Sequence, residues 1–207
     1  MRALTSWCKE SNLSLNVSKT KEVIVDFRRG KRTTHVPLMI EGTPVEIVDS
    51  YKYLGVHITK NLRWDTHISS LVKKTGGKIF YLRRLKKVTR NQPLLKAFYT
   101  ATVESVLTGS ITAWYGNCST QDKRKLKRVI RTAERIVGSP LPCLDDIYRK
   151  RCRTKAEKIR KDSSHPRHHI FQLMRSGRLR NLRSKTKRMR RSFFPQAIRI
   201  LNDSFSR

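Results

Sequence analysis

The run Tyr51-Lys52-Tyr53-Leu54-Gly55-Val56-His57-Ile58 marks a change of apolar period, and that change limits what the chain can fold into. Before it, aromatic and β-branched residues come in short runs of strand character; from Asn61 onward the apolar positions recur at threes and fours. A chain patterned this way is neither a single sheet nor a single bundle. It predicts an α+β protein: a small antiparallel β-hairpin unit with a helix, then a mostly helical region. Gly55, in the middle of the run, predicts a strand position where another backbone approaches closely.

The elements follow in order. Leu4, Trp7 and Cys8 stand at i, i+3 and i+4, one apolar face of a short helix over residues 1–11, with Trp7 as its core anchor. Asn12 suits the left-handed conformation that stops a helix. Leu13, Leu15 and Val17 alternate toward a Lys19-Thr20-Lys21 turn. Lys21 to Phe27, Pro37 to Ile40 and Val45 to Val48 read as strands, with Glu41-Gly42-Thr43-Pro44 as a turn.

Beyond Asn61, Leu62, Ile68, Leu71, Val72, Ile79, Phe80, Leu82 and Leu85 form an apolar helical stripe. Gly76 and Gly77 each weaken that helix by about 1 kcal/mol relative to alanine, which marks a hinge or a close helix crossing. A second helix runs from Asn91 to Leu107, with Asn91 as N-cap, Pro93 in the first turn and Leu94, Leu95, Phe98, Thr102, Val103 and Val106 on its buried face. Trp114-Tyr115 reads as core rather than as a stacking surface. A third helix, Ser119 to Val137, is capped by Ser119 or Thr120 and ended by Gly138, with Pro140 and Pro142 beyond. A fourth runs from near Leu144 to Ile159, and Phe193, Phe194, Ile198, Ile200 and Leu201 suggest a short apolar helix docking on the body. These signals divide the chain at 1–60, 61–138 and 139–207.

Charge restricts the partner. The chain has 47 Lys+Arg against 15 Asp+Glu, net +32, of which +7 falls in residues 1–80 and +25 in residues 81–207. Such an excess points to a polyanion, with nucleic acid the default. Residues 149–191 hold 18 basic residues against Glu157 and Asp162, so this basic tail is expected to be partly disordered until phosphates relieve its repulsion. Candidate phosphate contacts are Arg28, Arg29, Lys31 and Arg32 around Gly30, then Lys73, Lys74, Arg83, Arg84, Lys86 and Lys87 on the polar side of the first long helix. Arg188, Arg190 and Arg191 close the tail, in a segment from Lys185 that also fits a nuclear-localisation patch.

Two constellations bear on metal chemistry. Asp145-Asp146 is the one adjacent acidic pair, but its neighbours read as the first turn of a helix, where carboxylates meet the helix dipole, rather than as a strand-turn-strand metal pair. Cys143, Cys152, His165 and His168 or His169 have zinc-ligand chemistry, but the gap between the cysteines exceeds the usual two to four residues. No catalytic residue, metal or other cofactor is therefore assigned. The four cysteines read as free thiols, and with neither a run of eighteen apolar residues nor a signal peptide the expectation is an intracellular protein, in nucleus or cytoplasm, with no membrane partner.

Trp7-Cys8, Asn12-Leu13, Leu15-Asn16, Lys19-Thr20-Lys21, Tyr51 to Ile58, Leu62-Arg63-Trp64, His67-Ile68, Phe98-Tyr99, Glu104 to Leu107, Trp114-Tyr115-Gly116, Leu141-Pro142 and His165-Pro166 together resemble the C-terminal part of reverse transcriptases of non-LTR (LINE-type) retrotransposons. The resemblance implies the end of a palm in the first sixty residues, a primer-grip hairpin at Tyr53, Leu54 and Gly55, a helical thumb and a basic tail. It implies that Lys19 and Lys21 lie near template and incoming nucleotide, although from charge alone they equally form a solvated turn. It implies RNA or an RNA/DNA hybrid as partner, and catalytic aspartates, with their magnesium, upstream of the first helix, so that this chain is not catalytic alone. Trp7 to Lys21 also resembles the family named for the N-terminal domain of the eighth AlkB homologue, associated with RNA methylation and oxidative demethylation. That chemistry needs a His-x-Asp…His iron triad or a Gly-rich methyl-donor loop, and no histidine here is followed two residues later by aspartate. An RNA-modifying enzyme of that kind and an unfolded retroelement relic remain as alternatives.

Overall fold

The computed structural model describes residues 2–28 and 35–205 and divides into two compact units, Met1–Arg63 and Trp64–Arg207. Together they make an α+β protein with small sheets in the first unit and helices in the second.

The first unit opens with α1 (Arg2–Glu10). Asn12, at φ 52°, ends it in the left-handed conformation, with the Leu13 N–H bonding the Cys8 carbonyl at 2.8 Å and the Asn12 N–H the Lys9 carbonyl at 3.1 Å. These bonds satisfy carbonyls that the helix leaves open. Of the expected apolar face, Cys8 is buried but Leu4 and Trp7 are exposed, Trp7 by 56%. Trp7 is therefore no core anchor. Among its described residues the unit buries only Cys8, Ile40 and Val45 as apolar side chains, too little to cover an indole.

Among the described residues, three two-stranded ladders follow. β1 (Lys21–Glu22) pairs in parallel with β4 (Glu46–Ile47), β2 (Met39–Ile40) antiparallel with β3 (Thr43–Pro44), and β5 (Ser50–Tyr53) antiparallel with β6 (Val56–Thr59). The strand expected to reach Phe27 stops at Glu22, because the β1–β4 ladder ends there. The run from Tyr51 to Ile58 is a hairpin rather than one strand: Tyr53 faces Val56, and Leu54 (φ 46°) and Gly55 (φ 83°) make the two-residue turn. Two successive positive φ values match the twist of the flanking strands. Gly55 is thus required by backbone conformation and not by crowding, since a Cβ there would meet nothing within 4 Å.

In the second unit, α2 (Asp65–Val88) packs on α6 (Thr120–Val137) and on α3 (Gln92–Tyr99). Asn91 caps α3, its side chain accepting the Leu94 N–H at 3.0 Å. The helix then continues through a wider π turn, Thr100–Glu104, into α4 (Ser105–Leu107). Leu95, Tyr99, Val103 and Leu107 are fully buried along this run, whereas Leu94 is half exposed. Ser110, left-handed at φ 49°, starts α5 (Ile111–Trp114), and Trp114 is fully buried with its indole N–H donating to the Gly109 carbonyl at 2.9 Å. Ser119 caps α6 by accepting the Asp122 N–H, and Gly138 (φ 80°) ends it.

α7 (Leu144–Lys161) packs on α9 (Phe193–Phe205), with the short α8 (Lys187–Arg190) before it. Ala156, Ile159, Phe171, Leu179, Ala197, Ile198 and Leu201 form a buried cluster, with Phe193 and Phe194 packed against it. Apolar residues widely spaced along the basic tail thus converge on one cluster, while most of its cations are exposed.

Candidate nucleic-acid interface

The first surface is the outer side of α2. His67, Ile68, Leu71, Thr75, Ile79 and Leu82 turn inward, which leaves Lys73, Gly77, Phe80, Arg84 and Lys87 on one outward stripe at helical spacing. Lys74 and Arg83 flank it, and Lys86 is half-buried. Asp65, at the far N-terminal end, is the one acidic residue of the helix. Phe80, expected in the buried stripe, is 54% exposed, and its neighbour Tyr81 is 63% exposed. Their rings meet edge to face at 5.7 Å and the Arg84 guanidinium carbon lies 6.0 Å from the Phe80 ring centre. The helix runs unbroken through Gly76 and Gly77, with open space where either Cβ would stand, so there is neither hinge nor close crossing.

A second surface follows α7, within the basic stretch 149–191, although none of its basic residues was singled out in the sequence. A cleft of about 700 Å³ brings Lys150, Arg151, Lys155 and Lys158 together with Glu104 and Asp146. Arg151 is held by Thr108, its guanidinium donating to the threonine carbonyl and, at 2.9 Å, to the hydroxyl. One Glu104 carboxylate oxygen is buried without a hydrogen-bond partner among the described residues, and burial raises that carboxyl above the ordinary range while Arg151 opposes the shift. The helical phase of the basic residues from Lys150 to Lys158 was the available signal.

The remaining candidates are dispersed. Arg188, Arg190 and Arg191 lie on or beside α8, Arg188 half-buried and the other two exposed. Lys19 is exposed in a one-turn 3₁₀ helix capped by Asn16. Lys21 is ion-paired with Glu46, its register partner. Arg28 is gripped by Asp26, with Nε 3.0 Å and Nη2 2.7 Å from the two carboxylate oxygens, which holds the Asp26 carboxyl far below the usual range. Arg29, Lys31 and Arg32 lie outside the described residues. Tyr53, Leu54 and Gly55 form the exposed tip of the β5–β6 hairpin.

Asp145 and Asp146 occupy the first turn of α7; Lys123 Nζ lies 3.1 Å from Asp145, and the Asp146 N–H points at Cys143 Sγ. Cys143 is exposed and Cys152 buried against the Tyr148 phenol, and among the described residues no three His, Cys, Asp or Glu side chains are grouped to hold a metal. No helix among the described residues is long and apolar enough to cross a membrane.

Over 75 residues the chain is 29% identical to a probable RNA-directed DNA polymerase from transposon X-element of Drosophila melanogaster, a stretch covering 36% of this chain and only 8% of that protein. The similarity supports an origin connected with nucleic acid. The family model of the alkylated DNA repair protein alkB homolog 8, N-terminal, matches residues 64–105, which span α2, α3 and the π turn. The likeness expected at Trp7 to Lys21 is therefore found on the first helices of the second unit instead. No solved structure matches the chain.

Proposed function

We propose that this chain is the nucleic-acid-holding part of a protein related to retrotransposon reverse transcriptases, binding RNA or an RNA/DNA hybrid through phosphate contacts. The observation that carries the reading is the excess of cations on outward helix faces: Lys73, Lys74, Arg83, Arg84 and Lys87 on α2, whose one acidic residue is Asp65 at its far end, and Lys150, Lys155 and Lys158, which with Arg151 outnumber Glu104 and Asp146 in the α7 cleft. Arg188, Arg190 and Arg191 add to them. Lys21 and Arg28 already have carboxylate partners, so contact with phosphate would require exchange of Glu46 or Asp26. The hairpin tip at Tyr53 is the matching site for a primer strand. Polymerase chemistry is outside this chain's reach in the proposal, because its one adjacent aspartate pair lies in the first turn of a helix.

Phosphate neutralisation releases counterions, so affinity should fall steeply with salt. If about six to ten cations engage, roughly three to five decades are lost between 50 and 200 mM. Reversing Lys150, Lys155 and Lys158 to glutamate should weaken every RNA alike and flatten the salt slope, because phosphate contacts do not read sequence. A slope near zero overturns the reading.

The match over residues 64–105 favours a second reading, an RNA-modifying protein of the AlkB-homologue type. It requires methyl transfer or oxidative demethylation of RNA by the purified chain.

A further inference from the structure

The outer face of α2 carries more than charge. A helix side that only met phosphate would need cations alone, yet Phe80 and Tyr81 stand 54% and 63% exposed in the middle of the basic stripe. Neither serves the core: Ile79 and Leu82, beside them in sequence, supply the buried side of the same turn. Their rings meet edge to face at 5.7 Å with planes at 73°, so they are not stacked on each other. The Arg84 guanidinium carbon lies 6.0 Å from the Phe80 ring centre, Arg83 is exposed beside it in sequence, and Lys73, Lys74 and Lys87 are exposed on the same helix about two turns to either side. Just before them, Gly76 and Gly77 leave the helix backbone bare, with nothing within 4 Å of either Cβ position.

Each part has a counterpart in a nucleic-acid strand with unpaired bases. The rings offer stacking surfaces that any base fits, the cations take the phosphates on either side, and the bare turn admits a sugar-phosphate backbone close to the helix. A duplex keeps its base faces covered by stacking, so it would use the cations and leave the rings idle. An apolar protein partner would have to bury the cations beside the aromatics, which charge complementarity disfavours.

We propose, resting on the nucleic-acid reading above, that Phe80 and Tyr81 form a stacking platform for unpaired bases, so that α2 selects single-stranded nucleic acid, or the single-stranded part of a template, over a blunt duplex. The pair was missed in the sequence because Phe80 was assigned to the apolar stripe. Its phase, four residues from Gly76 and from Arg84, puts it outside.

Binding of the full chain to a twenty-nucleotide single-stranded RNA and to a blunt RNA duplex of equal length, titrated at several salt concentrations, tests this. The double variant Phe80→Ala/Tyr81→Ala should lose about tenfold to a hundredfold in affinity for the single strand, with duplex affinity and salt slope unchanged. Phe80→Trp should retain single-strand affinity. Unchanged melting of the double variant checks that the fold is intact; a lowered midpoint with equal losses on both RNAs means the rings serve packing, and overturns the platform. Undiminished single-strand binding by the double variant overturns it too, while leaving the phosphate reading standing. If the unaltered chain binds neither RNA, the phosphate reading fails as well.

Discussion

The Arg151 guanidinium on α7 donates to both the carbonyl and the hydroxyl of Thr108, just beyond α4, its Nη2 lying 2.9 Å from the threonine oxygen. One planar side chain thus fastens the cleft-bearing helix to the end of the α3–α4 run, 43 residues earlier in sequence. Charged hydrogen bonds of this kind contribute about 1.5–3 kcal/mol, and Arg151→Ala should lower stability by that amount in denaturant melts.

The neighbouring Glu104 gives a pH signature. Burial raises its carboxyl, so the ionised form is penalised in the folded state, whereas below the ordinary carboxylate range it is protonated in both states and the penalty disappears. Stability from this group therefore rises as pH falls from the raised value to the ordinary one. Glu104→Gln should raise the melting midpoint near neutral pH and leave it unchanged in acid; an equal effect at both pH values would contradict the burial argument.

Gly116, in the 3₁₀ turn Tyr115–Asn117 that follows α5, is where this part of the chain meets the segment after α8. A Cβ there would press into the Arg191 carbonyl oxygen and lie 2.7 Å from the Tyr148 hydroxyl. Gly116→Ala is expected to destabilise by about 1–3 kcal/mol through overpacking. The loss should appear as faster hydrogen exchange in α8 and the start of α9, and unaltered exchange there would show that the segment gives way freely.

The β5–β6 turn holds a leucine in a conformation that L-residues other than asparagine and aspartate rarely adopt. Replacing Leu54 by asparagine, the preferred residue before glycine in such turns, should stabilise the hairpin by about 1 kcal/mol. At the next position the conformational argument separates from the crowding argument: Gly55→Asn should be tolerated, and Gly55→Val should not. Amide exchange at Tyr51 and Tyr53 reads both, and equal damage from asparagine and valine would restore crowding as the cause.

Several elements were legible in the residues alone because their determinants are local. The caps at Asn91 and Ser119, the stops at Asn12 and Gly138, and the acidic opening of α7 each depend on a hydrogen bond or a φ value set within a few positions. The switch from strand to helical period likewise corresponds to β6 ending at Thr59 and α2 beginning at Asp65.

What the local pattern left undecided depended on which surface each side chain meets. The apolar character of Trp7 and Phe80 was plain in the sequence, but whether a ring is buried depends on neighbours supplied by distant segments, and neither finds them. Gly55 announced an unusual position, yet turn and crowding call for the same residue, and only the backbone angle separates them. The excess of cations was fixed by composition. Their assembly into the α7 cleft and beside two exposed rings on α2 came from packing, because burial of the apolar stripes rotates each helix and so decides which charges face outward together.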